Sequence, residues 1–160
     1  MSDIFTAASE FIASYAAAMA LGGDSSKTLI SVADALSAHY PLSTPFTSFT
    51  FGHVAVFTDR AHAIVTILAH LERINRSGLG IDVSMEKYRV EVVSTSSALC
   101  WITWAIKPRD GTEGWTWENV YGYRKPVTSD GQAQKGYWEF VVSDQEIEGF
   151  LKRKPDFMEI

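Results

Sequence analysis

Cysteine is almost missing from this chain: Cys100 is the only one in 160 residues. That excludes an intrachain disulfide and any zinc site made of several thiolates, and it fits a reducing compartment. Basic charge is also in deficit, 14 Lys and Arg against 19 Asp and Glu, for a net charge of -5. No stretch gathers the lysines and arginines that neutralising a phosphate backbone requires, so nucleic acid is not an expected partner. The amino terminus, Met1-Ser2-Asp3, lacks the basic run of a secretory signal, and no apolar run approaches the roughly 20 residues that span a bilayer. A cytoplasmic protein without a membrane partner is the expectation. Also missing are a Gly-rich phosphate loop, a dinucleotide fingerprint and a Gly-x-Ser-x-Gly nucleophile, which disfavours nucleotide-driven and serine-hydrolase chemistry. His62 and His70 stand on one helical pattern roughly 80° apart around its axis, so they do not share a metal as an i, i+4 pair does. Neither a metal nor another cofactor is expected.

What is there is apolar and aromatic. Hydrophobic residues make up 46% of the chain and charged ones 21%, enough for one real core, and the length suits a single domain spanning residues 1–160. From Asp3 to Leu21, Phe5, Ala8, Phe11, Ile12, Tyr15, Ala16 and Met19 recur at spacings of three and four, which predicts a helix ended by Gly22-Gly23. Ser25 or Ser26 is the expected cap of a second helix that runs to about His39 and is stopped by Pro41. A short strand is predicted around Phe46 to Phe51, then a third helix capped by Thr58 or Asp59, with a stripe of Ile64, Ile67, Leu68, Leu71 and Ile74.

Past Gly80 the period changes to two. Ile81, Val83 and Met85 have one parity and Tyr88, Val90 and Val92 the other, so a β-bulge near Glu86 or Lys87 is expected. Leu99 to Lys107 is apolar on both parities, and we place Cys100, Ile102, Trp104 and Ile106 on the outer face, where a second copy of the chain is expected to bury them, the alternative cover being the Lys125 to Lys135 loop or the terminal helix folding back. Trp115 to Arg124 alternates strictly, and Gly136 to Val142 forms the last strand. Glu118, on the far side of the Trp115 to Arg124 strand, is read as structural, either at the rim or paired, for example with Arg89 or Arg124. Ser143-Asp144-Gln145-Glu146 has the form of a capping box opening a terminal helix.

Helices followed by gathered strands predict an α+β domain: a cone-shaped, bent antiparallel sheet wrapped around the N-terminal helices. This order, with Tyr15 in the first helix, Asn119 amid an aromatic strand and Trp138 in the last, resembles the nuclear-transport-factor-2-like superfamily, in particular its SnoaL-like and ketosteroid-isomerase-like branches. The resemblance covers nearly the whole chain. It implies a cavity open at one end to a small molecule, and dimers formed through the outer sheet face.

In the ketosteroid-isomerase-like pattern a polar residue, a spacer, an aromatic, a spacer and a second aromatic follow one another, as Asn119, Tyr121 and Tyr123 do. Trp115 and Trp117 share that parity. With Trp101 and Trp138 from neighbouring strands, they are the expected substrate-binding rings, the alternative for all of them being plain core. Asn119 is expected to donate its amide N–H to a developing oxyanion, and the Tyr15 hydroxyl to polarise a carbonyl. Where the isomerases carry a carboxylate after the second helix, this chain has His39 to Phe46 without an acid, so His39 is the candidate base, with a solvated helix-end histidine as the alternative. The reading is a SnoaL-like, cofactor-independent isomerase, cyclase or dehydratase of a small apolar carbonyl- or hydroxyl-bearing metabolite. Its rival is a non-catalytic binding or dimerisation module of the same fold.

Overall fold

The computed structural model describes residues 3–132 and 134–160. Helix α1, Ile4–Ala20, is capped by Asp3, whose carboxylate accepts the Thr6 N–H at 2.7 Å. Its buried face, Ile12 and Tyr15 included, lies against the sheet. Helix α2, Leu29–Ser37, is capped by Thr28 and not by Ser25 or Ser26; Asp24 takes Ser26 into a turn of its own instead. Helix α3, Arg60–Arg76, starts at Asp59, which accepts the His62 N–H at 2.9 Å. Arg60, half-buried at the start of this helix, donates to the carbonyls of Tyr40 and Ala38. Helix α4, Asp144–Arg153, follows the last strand directly.

Six strands make one sheet: β1 Phe46–Thr50, β2 His53–Phe57, β3 Val83–Val92, β4 Ser97–Ile106, β5 Trp115–Arg124 and β6 Tyr137–Val142, in the order β2-β1-β6-β5-β4-β3. The sheet is mixed, because β1 runs parallel to β6 while every other pair is antiparallel. The β3 register slips between Met85 and Lys87, the bulge the change of parity predicts. Strand β2 is an element that sequence periodicity does not predict. Its hairpin turn is Phe51-Gly52, both at positive φ (50° and 78°), the conformation a two-residue turn needs but one usually signalled by Asn or Gly at the first position. The Asp144 carboxylate accepts the Phe51 N–H at 2.8 Å and holds the turn from outside. Gly22 is needed for closeness rather than for φ, since a Cβ there would lie 2.1 Å from the Ile81 carbonyl oxygen where α1 meets the start of β3.

Strand β4 corrects the expected facing. Directly opposed residues of an antiparallel pair share a face, and Cys100 pairs with Tyr121, Ile102 with Asn119, Trp104 with Trp117 and Ile106 with Trp115. Cys100, Ile102, Trp104 and Ile106 are therefore concave and buried in the core, and Trp101 is convex, with the Arg89 guanidinium 4.0 Å above its ring. A strand apolar on both parities carries no internal sign of which side is which; only its register to β5 decides.

Glu118 is convex as expected, but it accepts from Thr103 while Arg89 and Arg124 pair with Glu91 and Glu139. The stretch Ile4–Gly23 is, against the expectation for this chain, long and apolar enough by composition to cross a membrane, because its alanines outweigh Ser9, Glu10 and Ser14; a third of it (33%) is buried in the fold.

Candidate functional site

The concave face of the sheet and the four helices enclose a cavity of about 390 Å³, lined mostly by aliphatic and aromatic side chains. Strand alternation brings Trp117, Asn119 and Tyr121 of β5 to it, with Trp104 beside them from β4. Helix α1 contributes Tyr15, and the residues after α2 contribute Tyr40.

A continuous polar chain runs through this apolar wall. Trp104 Nε1 donates to the Tyr121 hydroxyl at 3.0 Å, and Asn119 Nδ2 donates to the same oxygen at 3.2 Å. Asn119 Nδ2 also donates to Glu146 Oε1 at 2.8 Å, and the other carboxylate oxygen, Oε2, lies 2.6 Å from His70 Nε2. A second pair, the hydroxyls of Tyr15 and Tyr40 at 2.7 Å, stands in the same cavity.

Glu146 and His70 are the residues that sequence reasoning missed. Glu146 is the last member of the apparent capping box, yet Ser143 makes no side-chain cap and bonds Thr50 instead, and the Glu146 side chain turns into the cavity. The signal was present in the spacing. Glu146 lies one helical turn before the fully buried Phe150, and His70 falls between Ile67 and Ile74 on the apolar stripe of α3. Reading His70 only against a metal-ligand spacing hid this.

Burial works to raise the Glu146 carboxyl. The hydrogen bond from His70, that residue's charge and the Asn119 amide, with a smaller push from the Trp117 indole, outweigh it and hold the group below the usual carboxylate range. Glu146 is therefore ionised at neutral pH. Its side chain keeps 17% exposure and His70 30%, while both line the cavity. An ionised carboxylate only accepts, so the side of the Asn119 amide facing it must be the NH2, and both its protons are taken up by Glu146 and Tyr121. The expectation that Asn119 donates to a ligand is corrected accordingly: its remaining atom is Oδ1, a buried acceptor without a partner among the described residues. Tyr121 has both acceptor positions filled, so its own proton is what it still offers. Burial, reinforced by neighbouring phenols and the Glu146 charge, pushes the Tyr15 and Tyr121 hydroxyls far up, and burial does the same for Tyr40, so all three stay protonated.

His39 does not line the cavity. Its Nδ1 lies 3.1 Å from the Leu36 carbonyl, which fixes the N–H there, and Nε2 accepts from the Ser14 hydroxyl at 2.8 Å. Burial holds the imidazole below its ordinary pKa. Of the other expected rings, Trp101 is on the convex face, Trp115 packs on Phe150 under the Arg153 guanidinium, and Tyr123 and Trp138 pack against Phe11, away from the cavity lining. Tyr123 and Trp138 act as core here because α1 lies directly over that end of the sheet.

No family model and no curated protein matches the sequence. Solved structures do. An NTF-2 like protein of unknown function from Shewanella oneidensis MR-1 superposes with a TM-score of 0.59 at 10% identity, covering 86% of this chain and 96% of that one. A domain of unknown function with a cystatin-like fold from Nostoc punctiforme gives 0.57 at 14% identity over 93% of this chain and 83% of that one. Aln2 from a Streptomyces species gives 0.55 at 12% identity over 94% and 96%. At such identities the shared property is the fold, which is nuclear-transport-factor-2-like and cystatin-like, as the sequence pattern predicts.

Proposed function

We propose that this nuclear-transport-factor-2-like cone is a cofactor-independent acid/base enzyme that isomerises, cyclises or dehydrates a small, mainly apolar metabolite bearing a carbonyl or hydroxyl. The observation that carries the reading is the His70–Glu146–Asn119–Tyr121 chain, two titratable groups and a phenol converging in one apolar cavity. A carboxylate is costly to desolvate, and a pocket that only holds an apolar ligand does not require one. Glu146, which retains lone pairs beyond those used by His70 and Asn119, takes the proton from substrate carbon or oxygen, and His70 orients the carboxyl group across the 2.6 Å contact. Tyr121 donates to the oxygen on which charge develops, with the Tyr15–Tyr40 pair as a second donor source. His39, outside the cavity, takes no part.

The test needs no knowledge of the substrate. 5-Nitrobenzisoxazole opens when a base removes its ring C–H proton, and a neutral apolar bicycle suits this cavity. Wild-type protein is expected to open it with saturation kinetics, at least about a hundredfold faster than equimolar acetate. A rate equal to that of acetate, without saturation, rejects the enzyme reading in favour of the binding module.

A homodimer is also part of the proposal, on different residues from those first expected. Val54, Phe49, Val142, Val120 and Trp101 are successive cross-strand partners and form one apolar row over the convex face, the first three exposed. A second copy of the chain would cover them. Sedimentation should give a dimer at micromolar concentration and a monomer for Phe49→Glu; a monomeric wild type rules the dimer out.

A further inference from the structure

Resting on the reading of the cavity as a proton-transfer site, we infer that Arg73 is an anion-recognising residue and that the substrate is a carboxylate: an apolar keto or hydroxy acid whose carboxyl group seats on this guanidinium. Arg73 lines the same cavity as His70 and Glu146. Its position in the last turn of α3 suits the helix dipole, but that accounts equally for the exposed Arg76 and does not explain a guanidinium kept at a cavity wall. Among the described residues no carboxylate pairs with it, since Glu146 is taken by His70 and Glu148 by Lys152. Its Nε is shielded from solvent and has no hydrogen-bond partner, and the group rests over the Phe157 ring at 5.9 Å. A cation so placed, with its fork unfilled, is built for an acceptor that arrives with the ligand.

Spacing then links recognition to chemistry. His70 and Arg73 are three residues apart on one helix, which sets their Cβ atoms roughly 5–6 Å apart. A carboxyl group on Arg73 brings the carbons next to it towards the His70–Glu146 pair, while the ring or chain beyond fills the aliphatic and aromatic remainder. One guanidinium, with no lysine lining the cavity, balances one negative charge. That selects a carboxylate over a doubly charged phosphate, and it offsets the repulsion from Glu146.

The experiment compares two isosteres, 2-naphthoate and 2-naphthamide, by titration calorimetry against wild type, Arg73→Met and Arg73→Lys. Wild type should bind the carboxylate about tenfold or more tightly than the amide. R73M should erase that preference by weakening the carboxylate far more than the amide, and R73K, which keeps the charge but not the fork, should retain part of it. An amide that binds wild type as well as the carboxylate, or a preference unchanged in R73M, overturns the Arg73 assignment and leaves the proton-transfer reading standing. If neither probe binds, the Arg73 assignment falls, and the proton-transfer reading is decided separately by the 5-nitrobenzisoxazole rate.

Discussion

Glu146→Gln should lower kcat/KM for opening of 5-nitrobenzisoxazole by about two to three orders of magnitude, the range that loss of a positioned general base produces. The amide has nearly the shape of the carboxylate but cannot take up the proton, and it cannot keep both existing contacts as an acceptor. A loss below about threefold would place the base elsewhere. A melt against pH separates chemistry from folding. The Glu146 carboxyl is held below its unfolded value of 4.5, so the stability it contributes is fully present above that value and is lost as pH falls through the lower native one. The wild type should therefore melt above E146Q at pH 7, and the two curves should converge in strong acid. A pH-independent gap would mean that the ionised Glu146 carboxylate is not what stabilises this region.

Much of the cone was legible because its signals are local. The Asp59 cap, the stripe of α3 and the parity change that betrays the bulge at Met85–Lys87 are each written within a few residues, and the structure keeps all three. The strict alternation of β5 likewise put Trp117, Asn119 and Tyr121 on one face. What failed depends on register or on competition between partners. Both parities of β4 are apolar, so Trp101 and Trp104 can be told apart only by what stands opposite them on β5. The turn at Phe51-Gly52 borrows its support from Asp144, far downstream in the chain, and no local rule anticipates that. Glu146 satisfies a helix-start pattern, yet the open lone pairs meet a stronger donor set in Asn119 and His70 than the helix end offers, and a charge-assisted bond in a shielded site outweighs a solvated cap. The candidate base thus moved from His39 to a carboxylate on a different element, the acid that the turn after α2 lacks.

The position of Asn119 gives the last and sharpest expectation. Asn119→Asp places an acid here, 2.8 Å from where Glu146 Oε1 lies. Two carboxylates at that distance cannot both ionise, so one proton will be held between them and the pair will titrate as a unit, its upper value raised above that of the present Glu146. The acid limb of the pH–rate profile should move up by the same amount. Because a base of higher pKa is the stronger one, the plateau rate at alkaline pH should rise rather than fall. Asn119→Leu provides the contrast: it removes a donor from Glu146 and from Tyr121 without adding a charge, so its limb should move less and its plateau should drop with the loss of the ordered phenol. Profiles measured on 5-nitrobenzisoxazole for the three proteins decide it. Should the limbs of N119D and wild type coincide, Asn119 does not bridge to the base, and the polar chain from Tyr121 to His70 would have to be abandoned as the catalytic unit.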